Sequence, residues 1–402
     1  MKNIVMLLCI LFNTALYSQP GWQQQNSGTS STLLGAATSG QNTAYVCGIN
    51  GIVLKSTNSG SNWFSLSTGT NRFLRSISAA DPDIIYAAGE LGIILKSTNG
   101  GVNWLTLNSG TNNTFVNISF SGPATGTAVG LNGVVQRTTN GGTNWITQNS
   151  GVNVELTGVF FVNDLTGYIT GFNGSILKTN NGGENWFAQS SGTANDLRAV
   201  CFTDENTGIV CGMGGKILRT TNAGLNWVAA APVTSNGLYS VTYGGNNIFI
   251  CGTNVILRSG NGGTNWEIQP AAVSGDLYSI SFSDSQNGIT AGQNGMIFRT
   301  TSGGIGITQI SSVIPESFRL MQNYPNPFNP VTKIRFEIPS AMMVSVEIFD
   351  AAGKPVVKPE TDYLKTGTYE ITLDGSQLAS GVYFCRISGG NYSSAIRMTL
   401  VK

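Results

Sequence analysis

All seven tryptophans of the chain fall on one period: Trp22, Trp63, Trp104, Trp145, Trp186, Trp227 and Trp266 are separated by 41 residues five times and by 39 once. A chain that repeats at this interval uses one supersecondary unit many times, each copy too small to bury its own apolar face and therefore stacked on the next. The unit ending at Trp104 runs Gly89-Glu-Leu-Gly92-Ile-Ile-Leu-Lys96-Ser-Thr-Asn99-Gly-Gly101-Val-Asn-Trp104, and close copies precede Trp63, Trp145, Trp186, Trp227 and Trp266. A further copy, Gly292-Gln-Asn-Gly295-Met-Ile-Phe-Arg299-Thr-Thr-Ser-Gly-Gly304, arrives at Ile307 in place of a tryptophan.

In the fourth repeat, apolar runs between turn residues predict four short strands, Thr157 to Phe161, Gly167 to Gly171, Ser175 to Lys178 and Asn185 to Gln189, here lettered a to d. Four strands in forty-odd residues are the pattern of one propeller blade. The two ends of the array are complementary: Trp22-Gln-Gln-Gln-Asn-Ser-Gly28 repeats a strand d without its a, b and c, whereas residues 277–302 supply a, b and c without d. The expected fold class is therefore all-β, a seven-bladed β-propeller over residues 19–302 closed by an N-terminal strand, which removes free sheet edges.

Composition narrows the function. With 21 Lys+Arg against 20 Asp+Glu and only 10% charged residues, the chain has no general attraction for nucleic acid or an anionic membrane. It has no histidine, which removes the commonest general base, the Ser-His and Cys-His nucleophile pairs and the commonest zinc ligand. Without a CxxC pair either, neither a metal nor a cofactor is expected. Cys47, Cys201, Cys211, Cys251 and Cys385 are odd in number and irregular in spacing, so they read as buried thiols rather than a disulfide framework. Lys2 and Asn3 before the apolar run Ile4 to Phe12, with Ala15 and Ser18 after it, predict a secretory signal peptide over residues 1–18. No other segment approaches the length of a membrane span.

The repeats carry a family resemblance. Ser56-x-Asn58-x-Gly60-x-x-Trp63 and its copies resemble the Asp-box or BNR hairpin, with Asn in the acidic position, and the Gly-x-x-Gly-x-Ile-Leu-Lys pattern is similar to seven-bladed propellers related to the photosystem II assembly factor. The resemblance implies the fold more than a function. Asp-box hairpins occur in sialidases, xyloglucanases, sorting receptors and assembly factors, where they stabilise the c–d turn away from the active face.

Residues 303–316 depart from the period and read as a linker. Beyond them, Ile334, Phe336 and Ile338, then Val344, Val346 and Ile348, then Tyr369, Ile371 and Leu373 alternate with other residues, predicting a small β-sandwich over residues 317–402. Asn323-Tyr-Pro-Asn-Pro-Phe-Asn-Pro330-x-Thr332, Leu378-Ala-Ser-Gly-Val-Tyr-Phe384 and Met398-x-Leu-Val-Lys402 closely resemble the type A C-terminal sorting domain of the type IX secretion system. That resemblance implies passage through the periplasm to the outer cell surface or the extracellular space, with the secretion machinery as partner.

One cation per repeat ends strand c: Lys55, Lys96, Arg137, Lys178, Arg219, Arg258 and Arg299. Scaffold positions are the ones that recur, so each stem is expected to cover the neighbouring tryptophan while its head reaches a turn carbonyl. Function is sought instead where repeats differ. After the recurrent apolar residue that opens strand a stand Leu34, Arg75, Val116, Thr157, Arg198, Tyr239 and Tyr278, and the b–c turns contribute Ile49, Glu90, Leu131, Phe172, Met213 and Gln293. Arg75, Arg198, Tyr239, Tyr278, Glu90 and Phe172 are the expected ligand-binding residues, because such side chains offer contact area with a polar or cationic handle.

No catalytic residue is assigned. Asp164, Asp204 and Asp284 read as a–b turn formers. Glu90, Glu155, Asp196 and Asp276 lie nearer the ligand face, yet nothing marks two of them as a glycosidase pair. The expected function is a secreted, non-catalytic binding or adhesion protein with a glycan or protein ligand. The alternatives are an extracellular glycan hydrolase and an assembly factor for a membrane protein complex.

Overall fold

The computed structural model describes residues 21–402 apart from 246, 270, 272, 302, 304–306, 376 and 377; the expected signal peptide, residues 1–18, lies outside them. The described residues form nine four-stranded antiparallel sheets. Six are each cut from one continuous repeat. In the fourth, Leu156–Phe161, Gly167–Gly171, Ile176–Thr179 and Phe187–Gln189 pair in sequence order, within two residues of the expected bounds. In a seventh sheet, Gln23–Gln25 pairs with Ile297–Thr300, Gln23 opposite Arg299, and Gly288–Gly292 and Leu277–Phe282 complete it.

Strand b is buried throughout in six repeats, for example Ile85–Gly89, and in all but its first residue, Thr43, in the other, because neighbouring sheets cover both its faces. Strand d opens with exposed residues, as in Phe64–Leu66. The apolar clusters accordingly straddle adjacent repeats: Val129 and Val135 pack with Leu156, Val159 and Ile169, and Leu33, Val46 and Leu54 of the first repeat pack with Ile289, Ala291 and Ile297 of the last.

The c–d turns close through asparagine. Asn58 Oδ1 accepts the Asn62 N–H at 2.9 Å and the Ser56 hydroxyl at 3.0 Å, while Ser56 Oγ accepts the Gly60 N–H at 2.9 Å. The same three bonds recur around Asn99, Asn140, Asn181, Asn222 and Asn261. A neutral amide oxygen does the accepting here without adding charge at each turn.

The strand-c cations reach the hairpin of the next repeat. Lys55, Lys96 and Lys178 donate through Nζ to Gly100, Gly141 and Ala223 carbonyls at 2.7–2.8 Å, and Arg219 and Arg299 donate through Nε to Gly262 and Ser59 carbonyls at 2.6 Å. The head thus reaches a turn carbonyl as expected, and beside each ammonium stands an aromatic ring. It is a strand-b tyrosine, Tyr45, Tyr86 or Tyr168, 5.3–5.4 Å from the ammonium, whose hydroxyl donates to the same carbonyl. Lysine stands wherever strand b has that tyrosine, and arginine wherever strand b has Thr127, Ile209, Phe249 or Ile289 instead. The phenol fills space and shares the carbonyl, leaving room for a slim ammonium; without it a guanidinium takes both roles. Arg258 also donates to Asn247 Oδ1 at 2.9 Å.

Burial pushes the hydroxyls of Tyr45, Tyr86 and Tyr168 up to about 12. Unfolded tyrosine ionises near pH 10, so the folded chain holds these phenols neutral where the unfolded chain would lose the proton. Their contribution to stability is complete below about pH 10 and is lost as pH rises towards about 12. Calorimetry across that window should show the unfolding midpoint falling. Replacing all three by phenylalanine should flatten the fall, and an undiminished fall would count against these tyrosines as its source.

The a–b turns correct one expectation. Asp204 Oδ1 accepts the N–H groups of Asn206 and Thr207, and Asp284 does the same for Gln286 and Asn287. In the fourth repeat that role falls to Asn163, which accepts from Leu165 and Thr166, and not to Asp164.

The last two sheets order Ile307–Ser311, Gly367–Asp374, Val331–Ile338 and Arg319–Leu320 on one side, and Pro355–Leu364, Met342–Asp350, Gly381–Gly389 and Tyr392–Leu400 on the other. Phe336, Ile348, Tyr369, Cys385, Ile387 and Met398 share their core. Residues 303–316 are thus not simply a linker: Ile307–Ser311 hydrogen-bonds along Gly367–Asp374, and Ile307 is buried in this core. The sorting-domain motifs serve packing as well. Asn323, 2% exposed, donates to the Pro325 carbonyl and to Thr332, while Phe328 exchanges backbone bonds with Thr399 and Val401.

Candidate functional site

Each strand a is bulged at its start. Register shifts fall between Leu33 and Gly35, Leu74 and Ser76, Phe115 and Asn117, Leu156 and Gly158, Leu197 and Ala199, Leu238 and Ser240, and Leu277 and Ser279. The first member of each pair is fully buried. The residue between them is the extra one, and a bulge turns such a residue away from the core. Those extra residues are the seven variable positions from Leu34 to Tyr278, and all seven line one cavity of about 380 Å³.

The cavity thus brings together Arg75, Arg198, Tyr239 and Tyr278, with Glu155 as the one carboxylate in its lining. Glu90 and Phe172 do not line it. Glu90 Oε2 accepts the Phe73 N–H at 3.2 Å, tying down its own turn, and Phe172 acts at one remove, with its ring 4.7 Å from the Arg198 guanidinium. Asp196 is likewise occupied, accepting the Asn173 N–H at 3.1 Å.

The two arginines are electrostatically unlike. Arg198 lies between the Phe172 ring and Glu155, whose Oε1 is 3.9 Å from Nη1, so its charge is partly met. Arg75 has no acidic partner among the described residues. The Nε atoms of both are buried without an acceptor among the described residues. An unmet buried N–H costs about 1–3 kcal/mol, a cost that an incoming oxygen would relieve.

The tyrosines form a fixed wall. Their rings are 5.3 Å apart and tilted by 54°. Tyr239 shares a hydrogen bond with Thr253 at 3.2 Å, and Thr253 donates to Asp276 Oδ1 at 2.6 Å. Tyr278 donates to Asp276 Oδ2, and Gln293 Nε2 donates to both that oxygen and the Tyr278 hydroxyl. Burial, opposed by the Gln293 hydrogen bond and reinforced by Asp276, raises Tyr278 above its ordinary value. Both phenols are held, so what they offer a ligand is ring surface. Thr253 escaped the sequence reasoning. Its signal was the 39-residue spacing, part of which is a b–c turn one residue shorter, Gly252 pairing with Val255 where Gly212 pairs with Lys216.

Among the described residues no group of three or more His, Cys, Asp or Glu could hold a metal, and no helix is long and apolar enough to cross a membrane.

Comparison with known proteins places this geometry among relatives. The family model of the photosynthesis system II assembly factor YCF48 matches residues 14–152 and 101–230, and that of the secretion system C-terminal sorting domain matches residues 322–402. No curated protein matches the chain. Among solved structures, YCF48 bound to D1 peptide is similar at 21% identity and a TM-score of 0.60, over 71% of this chain and 99% of that one. The WD40 β-propeller domain of Doa1 is similar at 11% identity and a TM-score of 0.58, over 70% and 96%. PorZ, a surface component of the type IX secretion system of Porphyromonas gingivalis, is similar at 14% identity and a TM-score of 0.54, over 91% of this chain and 59% of that one. At these identities the structural likeness is one of fold, a β-propeller.

Proposed function

The chain belongs to the family of the photosynthesis system II assembly factor YCF48, and from that premise we propose that it is a non-catalytic binding propeller whose ligand enters the cavity ringed by the bulge residues. Its type IX sorting domain makes it a secreted protein of the cell surface or extracellular space. The seven repeat sheets are read as seven blades of one ring. In support, Ala36 and Thr38 N–H groups donate to Ser279 and Ser281 hydroxyls at 3.0 and 3.1 Å, joining first repeat to last. Ile118 and Phe120 donate in the same way to Ser76 and Ser78, joining third to second.

The observation that carries the binding reading is Arg75, an unneutralised guanidinium that lines the same cavity as a preorganised pair of aromatic rings. This suits a protein segment that brings an anionic group to Arg75 and an apolar side chain to Tyr239 and Tyr278. A relative in the same family was solved with a peptide bound. Glu155, being tied to Arg198 and without a second lining carboxylate, does not favour the glycan hydrolase.

The test is a peptide and glycan array probed with the secreted chain. For a peptide so found, Arg75→Gln, Tyr239→Ala and Tyr278→Ala should each cost about 1–3 kcal/mol of affinity, whereas Lys96→Ala, which loosens a hairpin outside the cavity, should change it by under about 0.5 kcal/mol. Loss on Lys96→Ala with none on Arg75→Gln would place the ligand elsewhere.

A further inference from the structure

Three residues after each tryptophan stands Gln25, Leu66, Leu107, Gln148, Gln189 or Gln269, except in the fifth repeat, where the residue is Ala230. Where the contact is seen, the long side chain crosses to the hairpin of the next repeat. A Cβ built on Gly101 would meet Leu66 Cδ1 at 2.5 Å, one on Gly142 would meet Leu107 Cδ1 at 2.5 Å, and one on Gly224 would meet Gln189 Oε1 at 2.7 Å. At Gly60, Gly183 and Gly263, the equivalents beside a strand-c arginine, the neighbours include Arg299, Arg137 and Arg219 instead. The short Ala230 side chain lines a cavity of about 460 Å³, with Val228, Ala229 and Ala231 of its own repeat and Gly263 and Thr264 of the next.

Two further features say what would enter it. Arg219 lines the cavity, its Nε held by the Gly262 carbonyl at 2.6 Å, and no carboxylate pairs with its guanidinium among the described residues. Strand Val228–Ala229 is the outer strand of its sheet, with Val228 66% exposed, so the cavity lies beside an unpaired strand edge. It shares no lining residue with the central cavity.

We propose that this cavity is a docking site for an extended peptide that pairs with the edge of Val228–Ala229 and inserts a glutamate side chain. Four sister repeats have glutamine at the position of Ala230. Glutamate is the charged isostere of that side chain, and the unmatched guanidinium selects it.

Methyl NMR on the secreted chain, labelled at valine and alanine, tests this with three peptides: acetyl-Val-Glu-Val-amide and its glutamine and leucine counterparts. The glutamate peptide should shift the methyl signals of Val228 and Ala229 to Ala231, and bind at least about fivefold more tightly than the other two. About 0.5 M salt should erase that preference. Ala230→Gln, which installs the side chain the sister repeats already tolerate, should abolish the shifts without lowering the unfolding midpoint. Equal response to the three peptides, no response at millimolar concentration, or shifts that persist in Ala230→Gln would overturn the proposal.

Discussion

Deleting residues 21–28 is expected to lower the unfolding midpoint by about 10 °C or more, although these residues are a small fraction of the chain. Trp22 is fully buried, with ring centroids 6.3 Å from Phe249 and 5.7 Å from Phe282 in edge-on contact. Removing a buried aromatic of this kind costs about 3–5 kcal/mol, which Trp22→Ala alone should reproduce. The deletion also strips Gln23–Gln25 from Ile297–Thr300 and leaves that strand as a bare edge. Loss of one interface weakens its neighbours in a stacked array. Differential scanning calorimetry reads the effect, and an unchanged midpoint would sink the view that the N-terminal strand closes the ring.

The second large effect concerns export. A chain ending at residue 306 should fold and stay in the periplasm, because it lacks the whole sorting domain. The cut matters in detail: a chain ending at residue 316 keeps Ile307–Ser311, a strand whose partner Gly367–Asp374 is gone and whose Ile307 has lost its core. That truncation should be the more protease-sensitive and aggregation-prone of the two. Conversely, residues 307–402 fused to a periplasmic passenger should be exported better than residues 317–402, whose sheet lacks an outer strand. Cell fractionation with immunoblotting checks both, and equal surface yield with and without the domain would refute its role.

The repeat period was legible because tryptophan is rare and every copy keeps it, and the variable positions of strand a were legible because they interrupt an otherwise constant frame. Their convergence on one cavity needed the bulges, and no residue type announces a bulge at Leu34 or Tyr239. The boundary at Ile307 was obscured by coincidence of position: the residue stands near where a tryptophan would, yet its burial belongs to the next module. Glu90 and Phe172 stand outside the cavity lining because a turn residue's side chain can serve nearby backbone or a neighbour instead of the open space. The exchange of lysine for arginine with loss of the strand-b tyrosine was present in the sequence throughout. It is visible only when two columns of the repeat are compared together.

The seven bulges have a consequence for how such a protein diverges. A residue that belongs to neither pairing register is not needed by the ladder on either side of it, so substitution at Leu34 or Val116 leaves the scaffold's stability nearly untouched, whereas the buried Thr157 hydroxyl donates to the Thr170 and Leu197 carbonyls and is part of the frame. Leu, Arg, Val, Thr and Tyr already occupy equivalent posts in this one chain. The rim therefore behaves as a set of interchangeable tips on a fixed handle: exchanging Leu34 and Val116 for the residues of another propeller, with Thr157 kept, should alter what is bound and leave the melting temperature where it was.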